Sequence, residues 1–108
     1  MKVDYTFTAS QDLRDIYEYI AFTLLAPAAA RDLTHRIMTT VHTLENQPER
    51  NPRCKEEPWF SQCVRFVPVN NYLIFYTIDS EAETVSVSRI MYGGRDISRQ
   101  LEGPTGLQ

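Results

Sequence analysis

Residues 64–79 read VRFVPVNNYLIFYTID, and the fold turns on how this stretch is divided. Val64 and Phe66, with Pro68, mark one strand by their two-residue spacing. Asn70-Asn71 then suits a two-residue turn, because asparagine tolerates positive φ. From Tyr72 to Ile78 the run YLIFYTI is apolar on both faces, which predicts a central strand covered on at least one side. Working outward, Asp79-Ser-Glu-Ala-Glu is a polar turn and Thr84 to Met91, TVSVSRIM, alternates again as the last strand. Gly93-Gly94 breaks it, and Asp96 to Leu101 is read as a short turn or helix, followed by a loose tail, EGPTGLQ.

Upstream lie two helices. Val3, Tyr5 and Phe7 alternate with polar residues as a first short strand, and Thr8 with Gln11 has capping-box spacing. Leu13, Ile16, Tyr17, Ile20 and Leu24 recur at three and four residues and predict a helix from about Ala9 to Leu25, with Asp12, Arg14, Asp15 and Glu18 turned elsewhere. Pro27 opens a second helix whose stripe is Ala30, Leu33, Ile37, Val41 and Leu44, ending before Pro48. The short connection predicts an antiparallel helical hairpin. Residues 48–63 carry three prolines and no period, so they read as a long surface connection with Trp59 and Phe60 packed back onto the domain. The expected class is α+β: an N-terminal strand and a helical hairpin packed on a small antiparallel sheet with a C-terminal three-strand meander. One sheet face is buried by the helices and the other is expected to be open.

The length of 108 residues suits one domain over 1–101 with a flexible tail at 102–108. No apolar run is long enough for a transmembrane helix, and MKVDYTFTASQ lacks the apolar stretch of a secretory signal, so a cytoplasmic location is expected. In that compartment Cys54 and Cys63 remain free thiols. Their spacing and the helical positions of His35 and His42 assign no metal, and no cofactor is expected. Eleven basic against fourteen acidic residues, a net charge of -3, disfavour a general nucleic-acid binder. Tyr72 and Tyr76 share a strand face and read as core, and Met38 and Met91 as packing residues.

The helical hairpin ending LENQPERNP, the run Asn71, Tyr72, Ile74, Tyr76 behind Arg65, and the ending Arg89, Ile90, Gly93, Arg95, Asp96 together resemble the RelE/ParE superfamily of type II toxin-antitoxin toxins, over about Val3 to Leu101. The resemblance implies a cognate antitoxin, with either a homodimer or a toxin-antitoxin hetero-oligomer as the assembly; with no long apolar run, no membrane partner is expected. RelE-like members are ribosome-dependent messenger-RNA endonucleases that use strand cations and a terminal tyrosine. Here those positions fall at Leu73 and about Leu101, and leucine neither moves a proton nor stabilises phosphate charge. Arg95, Arg65 and Tyr92 are the weak catalytic candidates. ParE-like members inhibit DNA gyrase, which needs a protein-binding surface, and this branch is favoured, with the endonuclease and a non-toxic binding module as alternatives. Arg65, Arg89, Arg95 and Arg99 are the candidate contacts to target or antitoxin, with Arg65, Arg89 and Arg95 expected to form one positive patch if the meander pairs as read.

Overall fold

The structure, a computed structural model, describes residues 1–93. Strand β1 (Lys2–Tyr5) leads into helix α1 (Phe7–Glu18), a π-helical turn (Tyr19–Thr23) and helix α2 (Pro27–Thr43). A 3-10 turn at Pro48–Arg50 follows, then β2 (Arg65–Val69), β3 (Tyr72–Asp79) and β4 (Thr84–Tyr92). The sheet order is β1-β4-β3-β2.

The meander pairs antiparallel as its spacing predicts, with Val69 opposite Tyr72 and Asp79 opposite Thr84. Asn70 takes φ 54 in the first turn, and Asp79 accepts the N–H groups of Glu81 and Ala82 in the second. β1 is different. It lies parallel to β4, Lys2 opposite Thr84 and Tyr5 opposite Val87, so the sheet is mixed rather than wholly antiparallel. The alternation of Val3 and Tyr5 shows that β1 is a strand, but carries no information about its direction relative to a strand eighty residues away.

Both helices lie on one face. Ala9, Ile16, Ile37, Val41 and Leu44 pack with Val69, Ile74, Tyr76, Val85, Val87 and Ile90 in the main core. Each such large side chain contributes about 1.5–3 kcal/mol by leaving water. Helix α1 starts earlier than the Thr8 capping box implies: Thr6 is the N-cap, its side chain accepting the Ala9 N–H, because β1 ends at Tyr5 and the chain must turn there. Gln11 instead donates its side-chain amide to Asp15. The far end also differs. The π turn rotates the chain, so Ala21 is buried while Leu24, predicted to continue the stripe, is exposed, and Leu25 closes the turn at φ 57. Met38 and Met91 are likewise at the surface rather than packed inside.

The opposite face is not left bare. Cys54, Val64, Phe66, Leu73 and Phe75 form a second small core beneath the 48–64 connection, with Trp59 tilted over Phe75 at a ring separation of 5.2 Å. The expected open face is therefore partly covered by the chain itself, and Trp59 does pack back as its apolar bulk requires. The connection is held down by Tyr76, whose buried hydroxyl donates to the Pro48 carbonyl at 2.6 Å and accepts from the Asn51 amide at 3.0 Å. Burial pushes the Tyr76 hydroxyl above its ordinary pKa. At the outer edge of β2, the Phe66 N–H is taken by the Pro52 carbonyl and Pro68 has no N–H, which closes that edge to further strands.

Replacing Tyr76 with Phe leaves the Pro48 carbonyl without its donor and frees Asn51. The variant is expected to lose about 1–3 kcal/mol of stability, read as a lower urea midpoint with an unchanged slope.

Candidate functional site: the outer face of the sheet

A cavity of about 410 Å³ opens between the outer sheet face, the start of α1 and the 48–64 connection. Phe75 and Val64 contribute apolar lining, Trp59 and Gln62 come from the connection, Thr6 and Thr8 from the start of α1, and Thr77, Ser88 and Arg89 from the central strands. Its position follows from unequal strand lengths. β1 pairs only as far as Val87, so β4 runs on past it with an unpaired edge. That edge is satisfied by side chains: the Thr6 hydroxyl donates to the Ser88 carbonyl, and the Asp12 carboxylate accepts the Ile90 N–H at 3.0 Å.

Asp12 also accepts from Arg89 Nε at 2.8 Å and Nη2 at 3.2 Å, a two-point pair. These bonds hold Arg89 further above its already high pKa. A β-bulge between Phe75 and Tyr76 sets Arg89 opposite Phe75, whereas Arg65 lies opposite Tyr76. Consecutive residues of β3 face opposite ways, so Arg65 and Arg89 point to opposite faces of the sheet. They do not form the single positive patch expected of them. The Arg65 guanidinium donates instead to the carbonyls of Glu49 and Asn51. Arg95, Arg99 and Leu101, and the terminal element expected over Asp96 to Leu101, lie outside the described residues.

Leu73 sits near the middle of the outer face, opposite Pro68 on one side and Met91 on the other. Leu73 is itself buried, in the small core with Cys54, Val64, Phe66 and Phe75, while Met91 beside it is partly exposed. Tyr92 is exposed at the end of β4, edge-on to Tyr72 at 5.4 Å. It lies beside a second cavity, of about 680 Å³, with Tyr19, Leu24 and Asn71. His35 and His42 are exposed on α2, which packs on the helical side of the sheet, and so do not reach the outer face. Asp12 was not singled out as a site residue from the sequence. On an amphipathic helix it reads as one more solvated acid, and nothing local signals that β4 overhangs β1 and needs an acceptor.

Two solved structures share this architecture. One, titled the chromosomal ParDE toxin-antitoxin system from P. aeruginosa, is 21% identical with a TM-score of 0.71, and the match covers 85% of this chain and 95% of that one. The other, the toxin-antitoxin complex RelBE2 from Mycobacterium tuberculosis, is 20% identical with a TM-score of 0.60, covering 84% and 95%. At these identities the likeness establishes the shared fold, that of the RelE/ParE toxins. A comparison with curated protein sequences gives no significant match. The family profile described as the ParE toxin of the type II toxin-antitoxin system, parDE, matches residues 3–97, and the chain belongs to that family. It is thus a ParE-type toxin of a toxin-antitoxin system. Among the described residues no helix is long and apolar enough to cross a membrane.

Asp12→Ala removes the partner of a half-exposed arginine and the acceptor of a backbone N–H at once. The expected cost is about 1–3 kcal/mol, measured by denaturant unfolding, with Asp12→Asn intermediate because its amide oxygen still accepts from Ile90. The two cysteines should also separate by reactivity: a thiol reagent near neutral pH modifies exposed Cys63 and leaves buried Cys54 untouched until the chain unfolds. Burial pushes the Cys54 thiol from 9.0 up to about 11. With rising pH the unfolded chain ionises first, so this contribution to stability is complete below 9.0 and is lost between 9.0 and about 11.

Proposed function

We propose that this ParE-type toxin acts by binding DNA gyrase through its outer sheet face, and that a cognate antitoxin neutralises it by covering exposed surface. The observation that carries the first part is the chemistry around Leu73. Its cross-strand neighbours are Pro68 and Met91, with Phe66 and Phe75 in the same small core. Arg89, the strand cation of this face, is already paired with Asp12. Cleaving RNA needs a proton acceptor, a proton donor and free positive charge around one phosphate. These residues are buried, and the apolar surface left for a protein partner is at the rim of this core, where Met91, Trp59 and Phe60 are exposed.

The antitoxin reading is supported by apolar surface on the helical side. Phe22 is 68% exposed and Leu25 82% exposed, at the tip of the hairpin, and Met38 lines a groove of about 620 Å³ with Leu13 and Tyr17. A single domain of this size seldom leaves so much large apolar surface together without a partner. A segment that folds on binding can cover such a surface and is easily degraded to release the toxin. The assembly is then a toxin-antitoxin hetero-oligomer in the cytoplasm. Of the four arginines expected to meet target or antitoxin, Arg89, Arg95 and Arg99 are kept in this proposal, and Arg65 is set aside from it because its guanidinium is turned to the Glu49 and Asn51 carbonyls.

Induction of the chain alone tests the target. The expected outcome is growth arrest with DNA-damage signalling ahead of any fall in protein synthesis, and blocked supercoiling by purified gyrase. Cleavage of translated messenger RNA, abolished by Arg95→Ala, would instead establish the endonuclease reading. Normal growth together with a tight complex with a small co-purifying protein would establish the non-toxic binding module.

A further inference from the structure

A second site lies apart from the outer-face cavity, at the end of the sheet beneath the 48–53 segment. Arg53 forms an isolated antiparallel bridge with Arg65, placing two arginines directly opposite each other. Like charges in that relation repel, and a protein with net charge -3 has acids to spare for separating them. It does not do so here. Among the described residues neither guanidinium has a carboxylate within 4.0 Å.

Their partners are neutral dipoles. Arg65 Nη1 donates to the Glu49 and Asn51 carbonyls. Arg53 Nη2 donates to the Phe60 carbonyl at 2.8 Å and approaches Cys63 Sγ at 3.6 Å, with the guanidinium stacked 4.6 Å from the centre of the Phe60 ring. These contacts fix both cations in place without neutralising them. Arg53 Nε is buried with no hydrogen-bond partner among the described residues, an arrangement that costs energy unless something accepts from it.

Both arginines line one pocket of about 200 Å³ with Glu49, Cys63, Ile78 and Ser80. Small-molecule sites typically run to roughly 300–1,000 Å³, so this one takes a chemical group rather than a whole large ligand. The spare donors are Nε and Nη1 of Arg53, Nε and Nη2 of Arg65, and the Ser80 hydroxyl. A carboxylate has two oxygens and one charge, which matches a single arginine fork. A phosphate has more acceptor oxygens, enough to engage two forks, and in its doubly charged form offsets both cations. Glu49, the one carboxylate in the lining, is exposed and competes with any bound anion. Asp79, next to Ser80, already has one carboxylate oxygen engaged by the Glu81 and Ala82 amides.

We propose that Arg53 and Arg65 form a binding site for a phosphate group, either inorganic phosphate or the terminal phosphate of a nucleotide. The site is separate from the target-binding face and stabilises the 48–64 connection when filled. Calorimetric and thermal-unfolding titrations of the full chain with sodium phosphate, against sodium chloride at matched ionic strength, test it. The expected result is saturable one-site binding and a rise in Tm that chloride does not produce. Arg53→Gln should weaken binding roughly tenfold, the equivalent of one charge-assisted hydrogen bond. Arg53→Lys should restore only part of the affinity, because it returns the charge without the fork. Since Arg53 also anchors Phe60, Glu49→Gln provides a test on an exposed side chain, and removal of its competing charge should tighten phosphate binding. Adenosine monophosphate binding more tightly than phosphate, with adenosine inert, supports the site and identifies a nucleotide as the source. Phosphate binding tighter than the nucleotide supports it and identifies the free anion. Absence of saturation in the millimolar range, an equal response to chloride, or unchanged affinity in Arg53→Gln overturns the proposal.

Discussion

The parallel pairing of β1 with β4 is the constraint from which the rest of this molecule follows. Residues 2–5 lie against residues 84–87, so the N-terminal strand closes the sheet at an edge that the meander alone would leave open. The pairing aims the chain at the start of α1 and commits both helices to the face that carries Ile74, Tyr76, Val85 and Val87. Because β1 is short and β4 is long, it also leaves an overhang, and Asp12 and Thr6 are the side chains that satisfy it. The outer-face cavity is a direct product of that mismatch in length.

The 48–64 connection supplies the second organising element. It has little regular structure of its own, yet it carries Trp59 to Phe75 and Cys54 to Phe66, and so builds a small core on the side that the helices do not reach. Tyr76 reaches the same connection from the helical side of the sheet through its hydroxyl. The outer face is consequently neither bare sheet nor a closed interior. Its centre is apolar around Leu73, its polar groups gather at the α1 end, and its arginine is already matched by an acid.

The arginines illustrate how one residue type takes on different work according to strand parity. Arg89 turns toward α1 and closes an edge, while Arg65 turns toward the 48–51 carbonyls and meets Arg53 across a single bridge. A shift of one residue in register would exchange these roles, because side chains alternate between faces.

Hydrophobic periodicity and turn chemistry by themselves determined the order of elements, the meander from Val64 to Met91, the two helices, and the burial of Tyr76, because these depend on neighbours close along the chain. The resemblance carried by Arg65, the Asn71 to Tyr76 run and the Arg89 to Asp96 ending was likewise legible there. Tertiary structure alone decided the direction of β1, the covering of the outer face, the break in the first stripe at Leu24, and which arginine meets which partner. The physical reason is common to all of these. A backbone edge left unpaired by strands of unequal length, or a like-charge pair joined across a bridge, exists only after distant segments have met, and no local pattern of residue types encodes it.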